Sequence, residues 1–538
     1  MTRAEWTASV LTPARTRAPE RAPVFLTPSG RVVDVIATPD DLANVAGGDD
    51  GGARDSRLAD EPPRQWIVHA PGGAGIPATV NVWYRQMVEA GASGLGVVGD
   101  EATRAGRDPD ATPNAGDVGI SGVSLASTAD VLELFDGIDL RAVSVSLAVD
   151  APAPMLFALV LAAAERRQVR WDALRGTLQH DILGAGILGD RGLFPVAPAQ
   201  RLVCDTMAFC LDHVPQWSAV SVNGQRTRAR GATVPQELSY VLALATTYID
   251  AAVAAGIDAT RAAACMAGLF GVEDGVFEEL ARFRAVRPVW ARVMRDRFGV
   301  AADQAPALRI HAHMADAGID ADPSDHLVRT VYRALSAALG GVDGLQATSA
   351  DAAAAASAIE AATLGLRTQQ VLAFENGLAG CADPLGGAWF VEQVTKDLAD
   401  GARADLDALD RLGGVTTADG RAALLARLEP PPGTGSSRVV ASMAGQASRA
   451  GQALARERAG RVAAVRRSRD GRAATAAIAA LQTTARGHGN TMAALVACAR
   501  ADVTLGEMCT ALQDVWGRDD EADRDEPGAQ RAGACTVP

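Results

Sequence analysis

The stretch AVSVSLAVDAPAPMLFALVLAAAERR (142–167), followed closely by GTLQHD (176–181), decides the fold. AVSVSLAVD (142–150) is a short β-rich run that ends on Asp150. PMLFALVLAAAERR (154–167) is an alanine-rich helical pattern, and GTLQHD reads as the next strand. Strand, helix and strand in that order predict a parallel pair joined by a crossover helix. The same alternation recurs outward from this unit. The other strand-like runs are GLGVVGD (94–100), SAVSVNG (218–224), AACMAGLF (263–270), ALRIHAHMA (307–315), GLQATS (344–349) and VLAFENG (371–377). Helical patterns such as QELSYVLALATTYIDAAVAAG (236–256) lie between them. Eight such runs predict an α/β chain built as a (β/α)8 TIM barrel, eight being the number that closes. No glycine-rich dinucleotide turn follows the first run, which disfavours an open doubly wound sheet.

Polar residues collect where these runs end: Asp100, Asp150, Gln179 with His180 and Asp181, Asn223 through Arg226, the pair His311 and His313, Gln346 and Glu375. That end of a β/α barrel carries the active site. Turns are polar in any protein, so the set argues more strongly than any one member. Small hydroxyl residues sit inside the runs: Ser144, Ser146, Thr177 and Ser221. Barrel interiors are ordinarily filled by bulky branched side chains. Inward serines predict an elongated cavity down the axis, able to hydrogen-bond an amide-bearing guest, with Arg226 at its C-terminal mouth.

The rest of the chain bounds these expectations. Of its 538 residues 48% are hydrophobic and 21% charged, a globular balance. Acidic residues outnumber basic ones 64 to 51, a net charge of −13, which argues against nucleic-acid or anionic-membrane binding. No apolar run is long enough for a membrane helix, and the start lacks the apolar stretch of a signal peptide. Seven scattered cysteines without a CxxC pair predict reduced thiols and a cytoplasmic location. No tetrahedral zinc spacing, P-loop or GxSxG elbow occurs, and no metal is expected. Residues 1–63 read as an N-terminal arm and linker, 64–400 as the barrel, 401–517 as a helical extension broken by EPPPGTGSS (429–437), and 518–538 as a disordered tail.

Six segments resemble one family. They are GLGVVGDEATRAGRDPDATPNAGDVGISGVSLASTADVLELFDGIDL (94–140), GTLQHDIL (176–183), WSAVSVNG (217–224), FEELARFRAVRPVWA (277–291), LRTQQVLAFENGLAGCADPLGGAWFVE (366–392) and NTMAALVACARADVTLGEMCTALQDVWG (490–517). Together they look like the substrate barrel of methylmalonyl-CoA mutases, in the right order over roughly residues 64 to 517. The resemblance implies a barrel whose axis admits the pantetheine arm of an acyl-CoA. It also implies an adenosylcobalamin-dependent radical rearrangement, with a second domain pressing cobalamin onto the C-terminal face. The family's cobalamin module carries a DxHxxG motif, and none occurs in these 538 residues. Some relatives carry that module on a separate chain, so the resemblance implies adenosylcobalamin only with such a partner.

Inside the barrel the pattern departs from the family's. Counting back from the shared NxxYR (Asn81, Tyr84, Arg85), the tyrosine that wedges against the corrin is replaced by Pro71, and an arginine two residues earlier by His69. The arginine that grips the substrate carboxylate falls on Gly189, the histidine that assists the radical step on Arg226, and a nearby glutamate on Ala229. RTHxQTSG is reduced to RIHAHMADAG (309–318), QSLHTN becomes DGLQATS with Gln346, and the acidic pair beyond it becomes Asp351 and Ala352. Binding residues fare better. Gln179 matches a glutamine that hydrogen-bonds the thioester region, and Arg282, Arg284 and Arg287 stand where relatives hold the CoA phosphates.

Three functions compete on this reading. The first is a thioester-binding barrel, on CoA or a carrier protein, repurposed to cobalamin-independent chemistry. In that case His69, Asp100, His180 and His311 serve as acid and base, and Arg226 stabilises an oxyanion. The second is a non-catalytic small-subunit-like partner of an acyl-CoA mutase. The third is an active acyl-CoA mutase, an isomerase, using a separate cobalamin-binding chain. A homodimer or a heterodimer with a mutase-like chain is expected in each.

Overall fold

The computed structural model describes residues 3–17, 24–26, 30, 32–33, 36–38, 65–111, 118–189, 192–301, 304–314, 323–347, 358–380, 383–428 and 448–518. Its centre is a barrel of parallel strands: β1 Ile67–Ala70, β2 Gly94–Val98, β3 Ser144–Ala148, β4 Arg175–Leu178, β5 in two halves Trp217–Ser218 and Val220–Asn223, β6 Met266–Val272, β7 Arg309–Met314 and β8 Gly344–Gln346. The split of β5 at Ala219 closes the ring. Its first half pairs with β4 through Gly176↔Trp217, and its second half pairs with β6 through Val220↔Met266. On the other side β8 pairs with β1 through Gly344↔Ile67.

A helix follows each strand: α1 Pro77–Glu89, α2 Thr128–Leu134, α3 Ala153–Arg166, α4 Val196–His213, α5 Val234–Ala254, α6 Val276–Phe298, α7 Pro323–Leu339 and α8 Ala358–Gln370. Their apolar faces cover the strands. Helix α3 shows the reason: every residue from Ala153 to Ala164 is buried, as its unbroken apolar run requires of a helix covered on all sides. Two of the NxxYR residues, Asn81 and Tyr84, are scaffolding. Asn81 Nδ2 donates to the carbonyls of Leu134 and Asp136, and the Tyr84 hydroxyl donates to the Gly96 carbonyl at 2.6 Å, tying α1 to α2 and β2.

Two strand expectations change. VLAFENG (371–377) is not a strand: Val371–Glu375 is a π-helical turn continuing α8, so Glu375 ends no strand. The eighth strand is instead Ile67–Ala70, inside WIVHA (66–70). Short apolar runs suit either conformation, and here the helical pattern of α8 carries straight on through Val371.

Helix Trp389–Arg411 runs across residue 400 and packs on α5 and α6. Beyond it Ser448–Ser468, Gly471–Arg486, Thr491–Arg500 and Leu505–Trp516 form a helical layer against α3 and α4. Asp108, in the loop after β2, anchors that layer. Its carboxylate accepts from Thr504 Oγ1 at 2.5 Å, Gly506 N at 2.9 Å and Arg466 Nη2 at 2.6 Å. Near the N-terminus residues 3–17 are helical, and none of residues 4–17 is buried. Past Arg518 the expected tail lies outside the described residues, as do Asp351 and Ala352.

Candidate functional site

Inward positions follow from strand register. His69 stands opposite Gly94, Gly96 opposite Ser146, Ser146 opposite Thr177, Leu269 opposite His311 and His313 opposite Gln346. Period-two alternation puts Gly94, Gly96, Ser144, Ser146, Thr177 and Gly344 on the axis. Side chains this small leave volume in the barrel's upper half. The cavity, about 1680 Å³, is lined there by His69, Gly96, Ser146, Gln179, His313 and Gln346, with Asn223 and Arg226 at the mouth. It continues outward past Arg104, Arg107, Phe194 and Arg421 to Ile478, Glu507 and Thr510 of the helical layer.

The expected cavity along the whole axis is shortened. Ser146 and Gln179 line it, with Arg226 at the mouth as expected. Ser144, Thr177 and Ser221 lie beneath it, buried, at 7%, 5% and 2% exposure. The Thr177 and Ser146 hydroxyls bond at 2.9 Å, and Arg309 Nη1 reaches over Ala267 of β6 to donate to Ser218 Oγ at 2.9 Å. These contacts make a floor.

Three imidazoles gather at that floor. His69 and His311 meet edge to face, 5.6 Å between centroids, and His313 lies one step further along β7. Burial, with His311 and His313 nearby, holds His69 well below the ordinary imidazole range. Burial pushes His311 and His313 down to about 4. All three are therefore neutral near pH 7 and act as hydrogen-bonding groups. His313 was absent from the catalytic candidates, although the HxH spacing in RIHAHM gives two residues on one strand face.

Other candidates sit elsewhere. Asp100 is fully buried and caps the turn Glu101–Arg104, accepting from Thr103 N at 2.9 Å and Gly119 N at 2.8 Å. It has no place on the cavity wall, and its carboxylate is taken up by these amides and by the Thr103 hydroxyl, which donates to it at 2.6 Å. His180 is fully buried behind Gln179, its ring nitrogens bonded to nothing among the described residues, and burial pushes it down to about 3. Its ring is off the cavity wall. Asp181 beside it accepts from Gly184 N, Tyr248 Oη and Asn223 N, the structural acceptor expected.

The three arginines of α6 do not converge on one anion. Arg282 is completely buried between Glu237 at 2.5 Å and Glu279 at 2.6 Å. Arg284 pairs with Glu392 at 2.7 Å and with Asp383. Arg287 donates to the carbonyls of Phe283 and Gly340 at 3.1 and 3.3 Å, and to that of Gly341. Spacing along the helix put them on neighbouring faces, but the chain's own carboxylates and carbonyls occupy them.

Among the described residues no group of three or more His, Cys, Asp or Glu is arranged to hold a metal. The donor set does not fit a corrin either. The cavity's imidazoles, His69 and His313, stand within strands β1 and β7, below the loops that form the mouth, and neither is placed to hold a cobalt there. No described helix is long and apolar enough to cross a membrane.

The profile of the methylmalonyl-CoA mutase family matches residues 28–424 and 442–518. A methylmalonyl-CoA mutase of Rhizobium meliloti is 31% identical over 519 residues, covering 92% of this chain and 72% of its own length. One from Cereibacter sphaeroides is 30% identical over 477 residues, covering 85% of this chain and 66% of its own. A probable methylmalonyl-CoA mutase large subunit of Mycobacterium tuberculosis is 32% identical over 479 residues, with 84% and 64% covered. The chain spans about two thirds of the length of these curated relatives.

Proposed function

The chain belongs to the methylmalonyl-CoA mutase family, and from that premise we propose that it binds an acyl thioester in its barrel cavity and acts on it without the cobalamin rearrangement. The cavity wall carries this reading. Ser146, Gln179, Gln346 and neutral His69 and His313 offer donors and acceptors, but no full charge, to a chain of amides and a thioester carbonyl. Wall residues that merely filled space would be larger and apolar, because empty volume costs stability.

Three replacements support the loss of the rearrangement. Gly189, at φ +89°, has no side chain for a substrate carboxylate. Pro71 gives its carbonyl to Trp83 Nε1 at 3.1 Å and has no hydroxyl to wedge against a corrin. Arg226, in place of a histidine, cannot shuttle a proton near neutral pH. It lines the mouth instead, where a guanidinium stabilises an enolate-like oxyanion.

The depressed imidazoles favour a second reading. Bases titrating near 4 are weak at pH 7, which suits a binding subunit more than a catalyst. In that role the chain pairs with a mutase-like chain as a non-catalytic partner, and thioester binding alone is expected. Either role is compatible with a homodimer or a heterodimer.

Titration calorimetry of the purified chain with propionyl-CoA, and separately with adenosylcobalamin, tests these readings. Thioester binding without cobalamin binding supports the proposal, and thioester consumption in the same mixture separates catalyst from subunit. Failure to bind any thioester overturns it. Cobalamin-dependent isomerisation on adding a small cobalamin-binding chain would instead establish an active mutase.

A further inference from the structure

The turn that brings Gln225 and Arg226 to the cavity wall is held from behind by a buried cluster of charge. It is a single turn of helix, Gln225–Arg228, entered through Gly224 just past β5. Arg228 donates to the Ala232 carbonyl at 2.6 Å, pairs with Glu273, and stands 3.9 Å from Glu237 of α5. The cluster meets the turn at two further places. A Cβ on Gly224 would lie 3.1 Å from Glu237 Cγ and 3.2 Å from Glu237 Oε1. A Cβ on Gly271 would lie 2.9 Å from Gln225 Cγ, and the Gly271 carbonyl accepts from Arg282 Nη2 at 2.7 Å.

Three carboxylates in this cluster, Glu237, Glu273 and Glu279, meet two guanidiniums, Arg228 and Arg282. Glu273 reaches solvent, at 34% exposure, and takes the close contact of Arg228. Glu237 and Glu279, at 0% and 2%, are left to share Arg282. Two ionised carboxylates on one guanidinium are poorly kept in low dielectric, which favours a proton on the pair. Glu237 Oε1 shows the excess: it is buried and bonds to nothing described. Burial pushes the Glu279 carboxyl up to about 7 against the pull of Arg282, and raises that of Glu237 as well. The charges on the neighbouring elements are committed, Asp274 to Arg333 of α7 at 2.9 Å and Arg284 to Glu392 of helix Trp389–Arg411 at 2.7 Å. The cation left to answer a lost proton is Arg228, whose Nε makes no hydrogen bond among the described residues.

We infer that Arg228 is a positioning residue for Arg226, and that a proton held by the Glu237 and Glu279 pair keeps their turn in place. With the proton bound, Arg228 stays on Glu273 and Arg226 stands at the mouth. Without it, a surplus negative charge lies behind the turn and Arg228 is drawn toward Glu237, away from Glu273. The effect of that shift on a ligand rests on the thioester reading; the shift itself does not.

Two measurements keep these apart. In the first, with no ligand, amide exchange over residues 224–233 is compared between the parent and Glu279→Gln at pH 6 and pH 8, the ratio cancelling the intrinsic pH dependence of exchange. Glu279→Gln keeps the side chain's shape and removes the surplus charge. The parent is expected to match it at pH 6 and to exchange about threefold faster or more at pH 8. In the second, calorimetry uses propionyl-pantetheine, which carries no group titrating in this range. Parental affinity is expected to fall about fivefold from pH 6 to pH 8, and the Glu279→Gln profile to be level. Arg228→Met is expected to bind weakly at both values, and Arg228→Lys to recover part of the loss. Glu237→Gln serves if Glu279→Gln does not fold. An exchange ratio that stays the same from pH 6 to pH 8 overturns the inference, whatever binds. So does a pH slope in binding that survives in Glu279→Gln, or an Arg228→Met protein that binds as the parent does. A ratio that rises as expected while the ester fails to bind at either pH supports the proton's hold on the turn and overturns the thioester reading.

Discussion

His69 and His311 stand edge to face on the barrel axis because the residues beside them are glycines. A Cβ on Gly94 would lie 2.4 Å from His69 Nδ1, and one on Gly344 would lie 2.5 Å from His311 Nδ1. Both are far inside contact distance, and both neighbours are rings walled in by strands. Gly344→Ala and Gly94→Ala are each expected to cost about 1–3 kcal/mol, the usual penalty of overpacking. Urea unfolding measures it; parental stability in both variants would mean that the rings are free to move aside.

Ser146 and Ser144 look equivalent in SVSLA, two residues apart on one face of β3, yet one lines the cavity and the other lies under its floor. Ser146→Trp has space to enter. It is expected to fold, with little change in melting temperature, and to abolish thioester binding. Ser144→Trp has no such space and is expected to unfold or to lose at least about 3 kcal/mol. Circular dichroism with thioester titration distinguishes them; a Ser146→Trp protein that binds as the parent does would place the ligand elsewhere.

How far the sequence could be read follows from such pairs. Seven of the eight strands were legible as short apolar runs between helical patterns. The first, Ile67–Ala70, has only four residues before a glycine-rich turn, too few to show a period. VLAFENG misled because its apolar content suits a strand, whereas its position in the helical register of α8 shows only when the preceding turns are seen. In the site, inward small residues announced an open axis, but how deep it runs depends on Arg309 meeting Ser218 from 91 residues away. The partners of Arg282 and Arg284, Glu237 and Glu392, lie 45 and 108 residues off, so spacing alone left those arginines looking available.

The buried imidazoles predict how stability changes with pH. Burial lowers the folded-state values of His180, to about 3, and of His311 and His313, to about 4, below the ordinary 6.5. The unfolded chain therefore takes up these protons first as pH falls. Their contribution is fully present above pH 6.5 and is lost as pH drops toward 4, each imidazole adding at most about 1.4 kcal/mol per pH unit to the slope. The melting temperature is expected to fall between pH 6.5 and 5, and to fall less in His180→Leu, which removes one such group without touching the cavity. Identical slopes for parent and variant would show that His180 is hydrated or bonded in solution.

Arg282 provides the last prediction. It is wholly buried, with Glu237 and Glu279 on its guanidinium, the Gly271 carbonyl at 2.7 Å and the Phe283 ring 4.5 Å beneath. Arg228 holds the far side of the network through Glu273 and, more loosely, Glu237. Removing one buried charge leaves its carboxylate partners in low dielectric without compensation, which costs about 3–5 kcal/mol. Arg282→Ala is therefore expected to be among the most destabilising single changes in α6. If its role is only structural, whatever folds should bind a thioester with parental affinity. The family resemblance makes the opposite demand: an arginine holding CoA phosphates would lose affinity on truncation and keep much of its stability. Restoring balance separates the two further. In Arg282→Met with Glu279→Gln the buried charge falls by one on each side, and stability is expected to recover part of the loss. A denaturation midpoint for the double variant no higher than for Arg282→Met, together with weakened thioester binding in both, would return Arg282 to the ligand.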